Sequence, residues 1–123
     1  MRLAIRAILH DADISQANIS IAVVDDATIA KLHGEFLNDP MPTDVLSFVL
    51  ERSEQMLEGE VIASADTAKT SAGRYHWPAT EELLLYIIHG TLHLVGYDDT
   101  TPKLRKQMRA KEREYLEQVG ASR

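Results

Sequence analysis

The sequence predicts an α+β fold in which helices pack on a small mixed β-sheet. Three observations lead to this fold class. Stretches rich in β-branched residues, such as Ile19–Val24, alternate with stretches whose apolar residues have helical spacing. One stretch, from Glu81 to about Val95, is apolar almost all round, as expected for a helix buried in a core. The length of 123 residues suits one domain, so residues 1–123 are expected to fold as a single unit.

The first half of the chain begins with a predicted helix and a predicted strand. The apolar residues of Leu3–Leu9 recur at helical spacing, and Ile19–Val24 has the composition of a strand. Asp25 and Asp26 then offer an N-cap, which predicts a helix that runs to about Leu37.

A turn and two further strands follow. Residues 38–42 (NDPMP) predict a turn, and Val45–Leu50 and Glu60–Ala63 predict strands. The hydrophilic run Arg52–Gly59 between them resembles a hairpin loop. Ala65–Tyr75 has weak helical character.

Two helices complete the predicted fold. A break at residues 77–80 precedes the buried helix, with Thr80 as its expected cap, and Gly96 is a natural stop. Pro102 at a first-turn position predicts the start of the last helix. Its inner stripe is expected to consist of Leu104, Met108, Tyr115 and Val119.

Composition excludes several kinds of site. The chain has no cysteine, which excludes a thiolate metal site, a disulfide framework and a cysteine nucleophile. The net charge of −6 argues against a general nucleic-acid binder. The sequence shows neither a signal peptide nor a membrane-length apolar run, so a cytoplasmic location without membrane contact is expected.

Two histidines on the apolar helix predict a metal site. His89 and His93 are four residues apart, which places both imidazoles on one helix face. Gly96 allows a sharp turn after the helix, so that Asp98 or Asp99 can return toward them. The pattern H-x-x-x-H-x-x-G-x-x-D parallels zinc signatures in which a third ligand follows a glycine turn. We expect one divalent ion, Zn²⁺, held by His89, His93 and Asp99, with Asp98 as the alternative third ligand.

The alternative interpretation is that these histidines are hydrogen-bonded core residues. Histidine pairs at this spacing occur by chance in many helices. Two imidazoles in an apolar helix lose hydration unless their nitrogens find partners, however, and one metal ion serves both. This cost favours the metal interpretation.

Three segments resemble one known family. His89–Asp99, HGTLHLVGYDD, is similar to the H-G-x-L-H-L-x-G-Y-D-H signature of the YbeY-type rRNA-maturation endoribonucleases, and ten of the eleven positions agree if each x is free. Pro42–Phe48, PTDVLSF, and residues 59–62, GEVI, resemble two strands of that family. Met108 and Glu112 fall where the family has a Met and a Glu.

The resemblance carries expectations about activity. It implies one Zn²⁺ per chain, no organic cofactor, and hydrolysis of single-stranded RNA. It also implies a role in 16S rRNA 3′-end maturation and ribosome quality control, with rRNA and the ribosome as partners. Neither the catalytic residues nor the oligomeric state follow from the sequence.

Two positions depart from the family pattern. Asp99 stands where the family has its third metal-binding histidine, and Leu37 falls by register where it has an arginine that faces the substrate. Loss of that arginine predicts slow cleavage of RNA. Arg52 and Arg74 are the candidates outside the last helix that could replace its charge.

The last helix is strongly basic. Six of the thirteen basic residues lie between positions 103 and 113, directly after the predicted metal loop. A solvated helix face explains this run, and so does a phosphate-binding face. As RNA contacts we select Arg105, Lys106 and Arg109.

Other polar residues have weaker functional interpretations. Glu82 lies seven residues before His89 on the same helix face, where it could orient a ligand or simply favour the helix dipole. Thr43 and Ser47 could touch a phosphate, or be solvated strand residues.

Two alternatives to an RNA-cleaving enzyme remain. One is a degenerate member that keeps the fold and metal but binds the ribosome or a partner without efficient cleavage. The other is a metalloprotease, against which Gly90 argues, because H-E-x-x-H proteases carry their catalytic glutamate at that position.

Overall fold

The computed structural model describes residues 1–37 and 44–121, without the side chains of Phe36 and Leu37. The elements in chain order are α1 (Arg2–Asp11), β1 (Gln16–Val24), α2 (Asp26–Leu37), β2 (Val45–Arg52), β3 (Met56–Ser64), α3 (Ala65–Tyr75), α4 (Ala79–Leu94) and α5 (Pro102–Gln118). The predicted α+β class is confirmed. The turn expected at residues 38–42 and the candidate Thr43 lie outside the described residues.

The sheet is mixed, as predicted, with the strand order β1-β3-β2. β3 is central, parallel to β1 and antiparallel to β2. Successive side chains of β3 point to opposite faces of the sheet. Val61 therefore packs in the main core, while Ile62 packs with Ile29 of α2 and Leu46 of β2 in a smaller core on the other face.

The central helix α4 lies against the main face of this sheet. It contacts β2 and β3 on one side and α1, α3 and α5 on the others. Such surroundings explain the nearly uniform apolar sequence, because almost every helix face is covered. Ile87, Ile88 and Leu92 are fully buried, which confirms the expected core helix.

Helix starts were predicted with mixed success. Asp25 Oδ1 accepts a hydrogen bond of 2.7 Å from the amide of Thr28, so the predicted cap of α2 forms. α5 begins at Pro102 as predicted, and Thr101 Oγ1 accepts a hydrogen bond of 3.1 Å from the amide of Leu104. The expected cap at Thr80 is wrong: α4 begins at Ala79, after Pro78. Pro78 has no side-chain donor or acceptor, and its fixed φ suits this position.

The hairpin loop is shorter than the sequence predicted. β3 begins at Met56, so the expected loop Arg52–Gly59 reduces to residues 53–55. The hydrophilic character of Glu58 predicts a loop residue, but Glu58 pairs with β1 and β2 in the central strand. Over the described residues, no helix is both long and apolar enough to cross a membrane.

Candidate metal centre

His89 and His93 lie on one face of α4 and point toward each other. Their Nε2 atoms are 3.1 Å apart, and their ring centroids are 4.6 Å apart in an edge-to-face arrangement. This geometry follows from the four-residue spacing on a helix. The side chains are partly buried, with 19% and 29% of their surface exposed.

The turn after α4 returns the chain to these rings. Gly96 has φ +110°, a conformation that favours glycine, and the amide of Tyr97 donates to the carbonyl of Leu92 at 3.0 Å. Asp99 then reaches back, so that its Oδ2 lies 3.6 Å from Nε2 of each histidine.

The separations of these three atoms suit one small metal ion. Ligands at about 2.0–2.1 Å from a tetrahedral Zn²⁺ lie roughly 3.3 Å from one another. The observed separations of 3.1, 3.6 and 3.6 Å lie on either side of that value. His89, His93 and Asp99 could therefore hold a metal ion with little rearrangement.

Asp98, the alternative third ligand, has a different role. Its Oδ1 accepts a hydrogen bond of 2.7 Å from the amide of Asp99, and its Oδ2 accepts one of 3.1 Å from the hydroxyl of Thr100. These hydrogen bonds, that of the Asp99 amide most of all, lower the pKa of the Asp98 carboxyl. The Asp98 carboxylate thus stabilises the turn that presents Asp99.

Glu112 of α5 supports the centre from the other side of His89. Its Oε2 lies 2.6 Å from Nδ1 of His89, and its Oε1 accepts a hydrogen bond of 3.3 Å from Arg109. Burial alone would lower the pKa of the His89 imidazole, but the hydrogen bond and charge of Glu112, aided by Asp44 and Asp99, outweigh it and raise that pKa. Sequence reasoning assigned no role to this residue.

A cleft of about 710 Å³ opens beside the centre. His89 and Asp99 line it together with Arg74, Arg109 and Arg113. Of the two arginines considered as substitutes for the missing one, Arg74 is therefore at the cleft. Arg52 instead donates to backbone carbonyls in the β2–β3 hairpin, among them that of Met56 at 3.1 Å.

The predicted RNA contacts on α5 are separated by the structure. Arg109 lines the cleft, and Arg105 donates to the backbone carbonyl of Asp99 at 3.3 Å. Lys106 is exposed and does not line the cleft. Arg113 also lines the cleft, although it is not among the predicted RNA contacts; its position one helical turn after Arg109 is the signal that could have indicated it.

Several other candidates have structural roles. Glu82 is 2% exposed, and its Oε1 accepts a hydrogen bond of 2.9 Å from the indole of Trp77. Ser47 donates to the carbonyl of Gly90 at 3.0 Å, so it faces α4. A Cβ atom at Gly90 would lie 2.6 Å from Val61 Cγ1, which shows why the glutamate of an H-E-x-x-H protease does not fit there.

Fold and site together define a small α+β protein with a candidate metal centre of two histidines and one carboxylate, one of the donor sets that catalytic zinc sites use. Comparison with known proteins identifies the family. Residues 1–120 match the family model described as Endoribonuclease YbeY. The chain belongs to this family.

Individual relatives carry the same family name. An Endoribonuclease YbeY of Rhodopirellula baltica is 43% identical over 107 residues, which cover 85% of this chain and 55% of that protein. One of Syntrophotalea carbinolica is 35% identical over 119 residues, which cover 91% of this chain and 79% of that protein. This chain thus spans little more than half of the first relative's length.

A solved structure shares the fold. The solution structure of a Thermotoga maritima protein superposes with a TM-score of 0.68 at 29% identity, over 96% of this chain and 77% of the other. The likeness extends over almost the whole α+β architecture.

Proposed function

We propose that residues 1–123 act as one metal-dependent endoribonuclease domain. The observation that carries the proposal is the convergence of His89, His93 and Asp99 beside a cleft that three arginines also line. The family name, Endoribonuclease YbeY, supports RNA as the substrate.

Zn²⁺ is the proposed ion, one per chain, with His89, His93 and Asp99 as ligands. Imidazole nitrogen and carboxylate oxygen are both ordinary zinc ligands, and three protein ligands leave a coordination position open. A divalent ion supplies Lewis-acid polarisation of a phosphate oxygen and activates water for hydrolysis.

The arginines of the cleft have the chemistry to hold the substrate. Hydrolysis forms a bond between a water oxygen and phosphorus and breaks the bond to one ribose oxygen, which takes up a proton. Negative charge develops on the non-bridging oxygens, and guanidinium groups stabilise it by paired hydrogen bonds. We assign this role to Arg74 and Arg109, and phosphate contacts along the outer face of α5 to Arg105 and Lys106.

Tyr75 supports a preference for single strands. Its side chain lines the cleft and is 56% exposed. An aromatic ring in such a position can stack on an unpaired base, a contact worth about 1–3 kcal/mol. Bases within a duplex are already stacked and paired, and so are not available to it.

The biological setting is proposed from the family resemblance. RNA cleavage of this kind fits 16S rRNA 3′-end maturation and ribosome quality control, with rRNA and the ribosome as partners in the cytoplasm. The substitutions at positions 37 and 99 favour, as a second candidate, a protein that binds metal and RNA but cleaves inefficiently.

An RNase assay tests the proposal. Single-stranded and structured rRNA fragments are incubated with the wild type, with and without a chelator, and with a His89→Ala/His93→Ala variant. His10→Ala is the control, because His10 is an exposed histidine on α1. We expect cleavage of single strands that the chelator and the double variant abolish. Metal and RNA binding without cleavage would favour the second candidate, and chelator-resistant cleavage would contradict the metal centre.

A further inference from the structure

The buried carboxylate of Glu112 has one cationic neighbour and one neighbour that can be protonated. It is 3% exposed, although it lies on a helix whose polar residues mostly face solvent. Burying a carboxylate is costly unless it is paired and hydrogen-bonded. One oxygen meets the ring of His89 at 2.6 Å, and the other meets the guanidinium of Arg109 at 3.3 Å.

This contact decides which nitrogen of His89 carries the proton. A carboxylate accepts hydrogen bonds and does not donate them, so Nδ1 of His89 must be the N–H. In the neutral ring the opposite nitrogen, Nε2, then carries the lone pair, and it is this atom that faces His93 and Asp99.

We propose that Glu112 is a positioning residue that holds His89 as the Nδ1–H tautomer and thereby presents Nε2 to the metal. The inference rests on the metal centre proposed above and adds to it a residue outside the ligand set. Carboxylates placed in this way behind a metal-binding histidine fix its orientation and raise its basicity.

The Nδ1–H tautomer of His89 gives the two histidines different hydrogen-bonding roles before metal binds. Nε2 of His89 and Nε2 of His93 are 3.1 Å apart, so without an ion and with both rings neutral one of them must donate a hydrogen bond to the other. Because Glu112 makes His89 the acceptor, neutral His93 must be the Nε2–H donor. His89 is therefore ready to bind, whereas the His93 proton must leave Nε2 for Nδ1 or for solvent.

Arg109 makes Glu112→Gln an informative variant. The guanidinium donates to Oε1, so the carbonyl oxygen of a glutamine would be drawn to that side. Its amide group would then face His89 and donate to Nδ1. This reverses the tautomer and places a proton on Nε2, where the metal must bind.

Two measurements test the proposal. Zinc affinity is measured by competition with a fluorescent chelator for the wild type, Glu112→Gln and Glu114→Gln. Glu114 is the matched control, since it lies on the same helix but is exposed and pairs with Lys111 at 3.1 Å. We expect a loss of about 10–100-fold in affinity for Glu112→Gln and no change for Glu114→Gln.

The tautomer itself is read in the metal-free wild type. Long-range ¹H–¹⁵N correlation of the imidazoles, at an alkaline pH that leaves both rings neutral, should show Nδ1–H at His89 and Nε2–H at His93. An Nε2–H tautomer at His89, or equal zinc affinity in the two glutamine variants, overturns the proposal. A wild type that takes up no zinc overturns the metal centre itself, and this proposal with it.

Discussion

Among single residues, Asp99 is the departure from the resembled family pattern that most directly affects the candidate metal centre. A carboxylate adds a negative charge and a harder oxygen donor than the imidazole found there in the family. Harder donors suit Mn²⁺ and Mg²⁺ better than imidazole does. We predict that Asp99→His narrows the metal preference toward Zn²⁺, with a higher ratio of zinc to manganese affinity in competition titrations. An unchanged ratio would mean that Asp99 does not touch the ion.

Arg74 is the second residue with a specific prediction. Arg74 lines the cleft with His89, whereas the resemblance to the family places Leu37 at the position of the family's arginine. Loss of one donor to a developing anion commonly costs about 10²–10³ in rate. We therefore expect Arg74→Ala to lower RNA cleavage by that factor, and Leu37→Arg to restore part of it in the same chain.

Lys69→Ala provides the control for Arg74. Lys69 is an exposed cation on the same helix, α3, and it does not line the cleft. Equal cleavage rates for Arg74→Ala and Lys69→Ala would remove Arg74 from the mechanism. The assay is initial-rate cleavage of single-stranded RNA with metal in excess.

Tyr86 gives a prediction for alkaline pH. Burial raises the pKa of its phenol to about 12, with a hydrogen bond from Ser71 acting against the rise and Glu82 adding to it. Because the pKa is raised in the folded state, the stability that the neutral phenol of Tyr86 contributes is fully present below about pH 10. That contribution is lost as the pH rises toward 12. The free energy of unfolding should therefore fall over this range. The free energy of unfolding of Tyr86→Phe should fall less steeply with pH than that of Tyr75→Phe, since Tyr75 is exposed. Parallel pH dependences of the two variants would refute the role of Tyr86.

The local part of the site could be predicted from the sequence, whereas the placement of Glu112 and Arg74 beside it could not. His89, His93 and Asp99 come together through helix spacing and one glycine turn, both of which are visible in the sequence. Glu112 and Arg74 reach the site because α5 and α3 pack beside α4. Contacts of that kind depend on how distant helices pack, which hydrophobic periodicity does not determine.

At the scale of elements, the close approach of α4 to the sheet depends on Gly90. A Cβ atom there would lie 2.6 Å from Val61 Cγ1 and 2.9 Å from Ser47 Oγ, both well inside contact distance. We predict that Gly90→Ala lowers the free energy of unfolding by about 1–3 kcal/mol, as overpacking usually does. It should also displace the helix that carries both histidines, and so weaken zinc binding.

Gly73 provides the matched control for Gly90. It lies within α3, and a Cβ atom there would meet nothing within 4 Å. Gly73→Ala should therefore be neutral or stabilise the protein by up to about 1 kcal/mol, through its higher helix propensity. Urea titrations of both variants measure the difference, and equal midpoints would show that α4 can move away from β3 at little cost.

The boundaries of helices and strands were predicted best where a residue type has a strong preference for one local conformation. Thr101 before Pro102 predicts the start of α5, and Gly96 with φ +110° ends the turn after α4. The sequence does not predict the start of β3 because Glu58 and Gly59 are residue types that are depleted in strands. Pairing with strands on both sides overrides their weak local preference.

At the scale of the whole molecule, charge restricts where RNA can bind. The chain carries a net charge of −6, and three arginines line the cleft against five carboxylates: Asp44, Glu82, Asp99, Glu112 and Glu117. Without an ion the cleft is formally negative, which opposes a phosphate backbone. The carboxylates exceed the arginines by two, and one divalent cation offsets these two negative charges. Metal loading should therefore change RNA binding as well as catalysis.

We therefore predict that RNA affinity depends on the metal even when no RNA is cut. Anisotropy titrations of a short single-stranded probe, checked for intactness on a gel, compare the zinc-loaded wild type with the His89→Ala/His93→Ala variant at several salt concentrations. Each additional phosphate neutralised steepens the dependence of log affinity on log salt by roughly 0.7. The loaded wild type should bind more tightly and show the steeper slope, and removal of its zinc should bring both values to those of the variant. If both proteins bind equally with equal slopes, the RNA lies away from the cleft. The exposed outer face of α5 around Lys106 would then be the better candidate for its binding surface, because its charges do not depend on the ion.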